Sequence, residues 1–312
     1  MGRHASVAAC SSGRVRLRIT FAAATLAVLS LCQTVRAAEP QSVDVPSLDR
    51  VGDALIQQPS FWFRASVPGR AADSAPGRAP AMVLLHGCGG PYRDALPQRL
   101  SQRMREYAEL LNAHGIHVLV TDSLTPRGER ELCTQKVGTR KVTQTQRRRD
   151  ALGALQWLAA QPEVDAARVG LLGWSNGGSN VLAASNLRHP EVANAPVKPT
   201  FAVAFYPGCE DELKRGYQPA MPLLMLLGAA DDWTPAAPCE RLAEQSAAPK
   251  PQVESYAGAY HGFDGTAALR LRRDVPNGAR PGAGVHQGGD PAARTASRER
   301  LLQFVRDAVA PR

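Results

Sequence analysis

Val169-Gly170-Leu171-Leu172-Gly173-Trp174-Ser175-Asn176-Gly177-Gly178 joins an apolar run to a serine framed by glycines, and a helical pattern follows over residues 176–187. A short apolar run bounded by glycine reads as a strand buried on both faces. A serine between Gly173 and Gly177 then sits on a sharp strand-to-helix turn, where missing Cβ atoms let the backbone fold back on itself. That turn lifts the Ser175 hydroxyl above the strand ends, at a helix N-terminus, as a nucleophile elbow does. The string alone is a weak sign; its place between strand and helix makes it specific.

The same rhythm extends outward from the elbow. Apolar runs at 82–85, 116–121, 201–206, 223–227 and 253–256 alternate with helical patterns at 97–114, 144–160, 236–245 and 293–309. Such alternation predicts an α/β fold, a mostly parallel central sheet flanked by helices on both faces. Residues 38–80 read as short leading strands around Phe61-Trp62-Phe63 and a surface loop rich in Pro, Gly, Ala and Arg over 68–80. Residues 264–292, rich in Gly, Arg and Pro, have no period and read as a long loop over or beside the site, or a mobile surface insertion. The spacing predicts one domain over 38–312, with its catalytic core at 81–312.

Three further stations lie at predicted strand ends. After the run 82–85 comes His86-Gly87-Cys88-Gly89-Gly90, a turn that can serve as an oxyanion hole or only as a tight connection. The backbone amides of Cys88 and Asn176 are the candidate donors to a tetrahedral intermediate. After 223–227, the stretch Gly228-Ala229-Ala230-Asp231-Asp232-Trp233-Thr234-Pro235 supplies the acid. Asp231 is the candidate, its task being to hold an imidazole in the right tautomer, while Asp232 or Thr234 is assigned to cap the next helix. His261, in Tyr260-His261-Gly262-Phe263-Asp264, follows the last predicted strand and is the base candidate. His114, His117, His189 and His286 read as helix-end, strand or loop residues, and His4 falls in the N-terminal segment. The order Ser175, Asp231, His261 is that of a hydrolytic triad on an open α/β sheet.

At the N-terminus, Arg14, Arg16 and Arg18 precede an uncharged run over 19–32 and a small-residue site at Val35-Arg36-Ala37. This reads as a secretory signal peptide over 1–37, cleaved after Ala37, and the run is too short for a membrane anchor. Five of the arginines leave with it, so the formal charge falls from +9 to +4. The remaining cations are scattered; the densest group, Arg147-Arg148-Arg149, reads as a solvated helix end and not as a nucleic-acid surface. Export to the periplasm or medium puts Cys88, Cys133, Cys209 and Cys239 in an oxidising compartment. Of their three possible pairings, Cys209 with Cys239 is favoured because both fall in loops at one end of the sheet; Cys88 with Cys133 then remains. No CxxC spacing suggests zinc, and no metal is expected.

Leu85-His86-Gly87-Cys88-Gly89-Gly90, the elbow, Asp231-Asp232-Trp233-Thr234-Pro235 and Tyr260-His261-Gly262-Phe263 together resemble the dienelactone hydrolase family of the α/β-hydrolase fold, over about residues 81–310. The resemblance implies a single-domain hydrolase without cofactor, acting on a small-molecule ester or lactone. One departure stands out: the namesake enzymes carry a cysteine nucleophile where this chain has Ser175, so their lactone substrate does not transfer. Arg127, in Asp122-Ser123-Leu124-Thr125-Pro126-Arg127-Gly128, falls where the family places an arginine near a substrate carboxylate. It is a candidate substrate clamp, or a loop salt bridge. The reading is thus an exported serine esterase. Its rivals are a serine peptidase or polyester depolymerase on the same fold, a non-catalytic binding protein, and a redox protein using the exported cysteines.

Overall fold

In the computed structural model, which describes residues 39–65, 77–93 and 99–310, the apolar runs form an eight-stranded sheet. Its strands are β1 (Gln41–Val51), β2 (Ala54–Phe63), β3 (Ala79–Leu85), β4 (His117–Thr121), β5 (Val164–Trp174), β6 (Phe201–Phe205), β7 (Leu223–Gly228) and β8 (Gln252–Tyr256). They lie in the order β1-β2-β4-β3-β5-β6-β7-β8. β1 pairs antiparallel with β2, and β2 with β4; every later pairing is parallel. A separate antiparallel pair joins β9 (Arg270–Arg272) to β10 (Val285–Gln287). The helices are α1 (Gln102–Asn112), α2 (Gln144–Ala159), α3 (Asn176–Ala183), α4 (Pro190–Ala193), α5 (Glu210–Arg215), α6 (Ala236–Gln245) and α7 (Pro291–Val309). The described residues belong to the compact unit Ala37–Arg312; the signal-peptide reading falls outside them.

Successive side chains of a strand point to opposite faces, and both faces of this sheet are covered. In β7, Leu223, Met225 and Leu227 join one apolar layer with Leu152 and Leu155 of α2, Val181 of α3 and Leu242 of α6. Leu224 and Leu226 join the other layer with Met104 and Leu111 of α1 and Leu301 and Phe304 of α7. Two-sided burial is why the parallel strands read as unbroken apolar runs.

The leading strands, expected to be short, are 11 and 10 residues long. The cause is polar burial. Gln58 and Ser47, both fully buried, point inward to α2: Gln58 donates to the Asp150 carbonyl at 3.2 Å and Ser47 to the Asp150 carboxylate at 2.5 Å. These inward polar residues erase the alternation that would mark the strands. The segment 264–292 is likewise no structureless loop, because it carries β9 and β10. Among the described residues, no helix is long and apolar enough to cross a membrane.

Candidate active site

The elbow is built as its glycines demand. Ser175 has φ 55° and ψ −121°, a strained region for a residue with a Cβ. Its N–H donates to the Phe205 carbonyl at 2.9 Å, and its carbonyl accepts from Ser179 N–H at 2.8 Å. A Cβ at Gly177 would lie 2.0 Å from the Leu85 carbonyl oxygen, so only glycine lets α3 approach the end of β3 this closely.

Three side chains from three strand ends converge above the sheet. Ser175 Oγ lies 2.8 Å from His261 Nε2, and His261 Nδ1 lies 2.8 Å from Asp231 Oδ2. With Nδ1 protonated, the imidazole donates to Asp231 and accepts from the serine hydroxyl. Asp231 Oδ1 also accepts from the N–H groups of Trp233 at 2.8 Å and Thr234 at 2.9 Å, and Oδ2 accepts from Thr234 Oγ1 at 3.1 Å. The carboxylate is therefore held by its own loop before it holds the histidine. The His261 ring is buried between Trp233, 4.5 Å away centroid to centroid, and Tyr206, 4.7 Å away.

Behind this row stands a second one that the sequence did not disclose. Tyr206 donates to Asp264 Oδ1 at 2.6 Å, and Asp264, fully buried, takes two hydrogen bonds of 3.1 Å from Arg103 of α1. Burial and the adjacent Asp264 carboxylate push the Tyr206 phenol well above its ordinary range, so it remains a donor. Charge complementarity between positions 161 residues apart has no local signature, which is why Arg103 and Asp264 went unread.

The turn at 86–90 packs on the elbow: a Cβ at Gly87 would lie 3.4 Å from the Trp174 carbonyl oxygen and 3.6 Å from Ser175 Cβ. Asn176 is the first residue of α3, so its N–H has no acceptor within the helix. Cys88 is bonded to Cys133, and its carbonyl accepts from Leu132 N–H at 2.7 Å. Cys209, at the start of α5, is bonded to Cys239 of α6. His86 is fully buried; burial and the neighbouring Arg147 lower its pKa to about 3. The neutral ring directs Nδ1 at the Gly87 carbonyl at 2.7 Å and accepts from Ser123 N–H through Nε2 at 3.3 Å.

Three expectations need correction. Arg127 is not offered to a ligand: its guanidinium donates to Asp49, to both oxygens of Asp150 and to the Ser123 carbonyl, at 2.7–3.3 Å. It is the loop salt bridge, fixing β1 to α2. Neither Asp232 nor Thr234 caps α6, whose N-cap is Pro235. Asp232 accepts from the backbone and Nδ1 of His286 at 2.8 and 2.7 Å, tying β10 to the acid loop. The arginine triplet is not a solvated helix end: Arg147 is 0% exposed, Arg148 pairs with Glu191, and Arg149 pairs with Glu191 and Asp49. Adjacent helical positions point about 100° apart, so one triplet serves three neighbours. Among the described residues, no cluster of His, Cys, Asp or Glu is gathered as a metal site.

A model of the dienelactone hydrolase family matches residues 67–308. A search of curated proteins gives no match. Among solved structures, the chain is similar to esterase 2 of Thermogutta terrifontis phosphorylated by paraoxon, with 17% identity and a TM-score of 0.59 over 89% of this chain and 98% of that one. It is also similar to dipeptidyl peptidase 4 of Porphyromonas gingivalis (16%, TM-score 0.57, 87% of this chain and 36% of that one). A third likeness is to a puromycin-hydrolyzing peptidase of Mycobacterium tuberculosis (19%, TM-score 0.57, 86% and 40%). At these identities the likeness establishes the α/β-hydrolase fold and nothing finer.

Proposed function

Because the chain belongs to the dienelactone hydrolase family, we propose that it hydrolyses a small carboxylic ester or lactone through an acyl-enzyme on Ser175. The observation that carries this reading is the unbroken relay from Ser175 Oγ through His261 to Asp231, each link 2.8 Å. His261 Nε2 takes the hydroxyl proton as Ser175 Oγ bonds to the substrate carbonyl carbon. The carbonyl oxygen becomes an oxyanion facing the N–H groups of Cys88 and Asn176. As the intermediate collapses, the C–O bond to the leaving group breaks and His261 returns the proton to the departing alkoxide. Water, deprotonated by the same nitrogen, then releases the acid and restores the serine. Asp231 steadies the imidazolium throughout without taking its proton.

The test is direct. Wild-type protein should hydrolyse a short p-nitrophenyl ester and take up a fluorophosphonate at Ser175, and Ser175→Ala should lower turnover by about 10⁴-fold or more. Undiminished turnover in Ser175→Ala would refute the assignment. A wild type that cleaves only amide substrates would favour the peptidase rival.

Export belongs to the same proposal. Two buried disulfides suit an oxidising compartment, and residues 1–37 have the composition of a signal peptide. The mature chain, isolated from periplasm or medium, should begin at Ala38; recovery of the full-length chain in the cytoplasm alone would contradict this.

A further inference from the structure

Arg147 is a buried cation with no carboxylate in its hand. Its side chain, 0% exposed, reaches from the first turns of α2 to two neutral acceptors. Nη2 donates to the His86 carbonyl at 2.6 Å, and Nη1 donates to Asn176 Oδ1 in a short hydrogen bond. Nε has no partner among the described residues. The nearby carboxylate of Asp150 is already engaged by Arg127 and Ser47. Burial lowers the Arg147 pKa to about 10, which still leaves it charged at neutral pH. Burying a charge without an ion-pair partner is costly, and an apolar residue in its place is often as stable. Stability is therefore a poor explanation for an arginine here.

The two acceptors suggest another. His86 opens the turn that presents the Cys88 amide, and Asn176 is the residue whose own amide faces the same oxygen. One guanidinium thus spans the two turns that supply the two donors. Each turn is also fixed on its own side. The His86 ring holds the Gly87 carbonyl, which lies in the same peptide plane as the Cys88 N–H and is trans to it. On α3, Ser179 holds the Ser175 carbonyl, which shares a plane with the Asn176 N–H. The seam is closed by Gln144, which donates to the Asn176 carbonyl at 3.1 Å, and by Asn180, which donates to the Arg147 carbonyl at 3.0 Å. What remains is the spacing between the two turns: Gly87 and Gly177 let them close up, and Arg147 is hydrogen-bonded to both. Its positive charge, shielded from water, also favours negative charge accumulating on the far side of those amides.

We infer that Arg147 is a positioning residue for the oxyanion hole, setting the distance between the Cys88 and Asn176 amides and biasing the site toward the tetrahedral intermediate. The inference rests on the serine-hydrolase reading above. Since the guanidinium touches no substrate, its loss should act on the transition state and not on substrate binding.

In Arg147→Met, kcat per fluorophosphonate-titrated site should fall about tenfold to a hundredfold, less than removal of a donor itself, with KM within about twofold. The affinity for an alkyl boronic acid, whose serine adduct is tetrahedral, should fall by the same factor. Arg147→Lys should lie between, because one ammonium cannot span both acceptors. A purely structural arginine would lower the number of titratable sites and leave kcat per site and boronate affinity at wild-type values; that result overturns the assignment. Should Arg147→Met not fold, Asn176→Ala keeps the backbone amide and removes one anchor, and should lose kcat and boronate affinity together by severalfold. Unchanged values there overturn the assignment equally. A wild type that neither labels with the fluorophosphonate nor binds the boronate would overturn the serine reading itself, and this assignment with it.

Discussion

Two turns carry the proposed oxyanion donors, and they are held differently. The elbow is fixed mainly from within its own stretch and the strands beside it, with α2 reaching only Asn176 through Gln144 and Arg147. Ser175 N–H bonds to Phe205, Ser179 caps the Ser175 carbonyl, and a Cβ at Gly173 would lie 2.2 Å from the Gly177 carbonyl oxygen. The turn at 86–90 packs on the elbow but takes most of its side-chain and covalent braces from residues 123–147. Ser123 donates to the His86 ring, Arg147 to the His86 carbonyl, and Leu132 to the Cys88 carbonyl, while Cys133 bonds covalently to Cys88. A backbone that packs against itself needs only the right short string. A turn braced from elsewhere needs partners that only the finished fold brings to it.

The largest effect should come from forcing the elbow off the strand end it packs against. In Gly177→Ala the new methyl would meet the carbonyl oxygens of Leu85 and His86 at 2.0 and 2.5 Å, and neither can move without shifting the end of β3. Overpacking against backbone lies at the severe end of such substitutions, so about 4 kcal/mol of stability should be lost. Esterase activity should go with it, since the elbow and the 86–90 turn separate. Urea unfolding followed by tryptophan fluorescence measures the first, and ester turnover the second. A Gly177→Ala protein of wild-type stability would mean that α3 is free to slide, and the contrast between the turns would fail.

The same contrast explains how far the sequence could be read. The strand ends were legible because two-sided burial writes itself as unbroken apolar runs, and Ser175, Asp231 and His261 each sit just past one. The elbow was legible because its constraint is local. Arg147 was not, since its triplet resembles any basic helix end until α2 is docked on β3 and α3. Gln58 and Ser47 concealed the length of β1 and β2 by putting polar atoms inward, toward Asp150. Arg127 stayed open between clamp and salt bridge for the related reason that a guanidinium at a strand end looks the same in sequence whether it awaits a ligand or already holds two carboxylates. In each case the missing information was the identity of a partner on a distant element.

The smallest expected effect is also the one most particular to the braced turn. His86 has a folded pKa of about 3, lowered by burial and by Arg147, against about 6.5 in an unfolded chain. In the folded protein the ring stays neutral, with Nε2 accepting from Ser123; unfolding lets it take a proton. The unfolded state therefore binds more protons between pH 3 and 6.5, and stability rises with pH across that window. The contribution is complete above 6.5 and is lost as the pH falls toward 3. From pH 7 to 5 it amounts to about 1–2 kcal/mol. The elbow has no titrating group in its own stretch from Gly173 to Ser179, so acid should loosen the 86–90 turn first. Glutamine can donate to the Gly87 carbonyl and accept from Ser123 without titrating. In His86→Gln the difference in unfolding free energy between pH 7 and pH 5 should shrink by that amount, whatever the other groups contribute to both proteins. Equal slopes in the two proteins would show that the ring titrates alike folded and unfolded, and that the brace from Ser123 does not depend on a neutral imidazole.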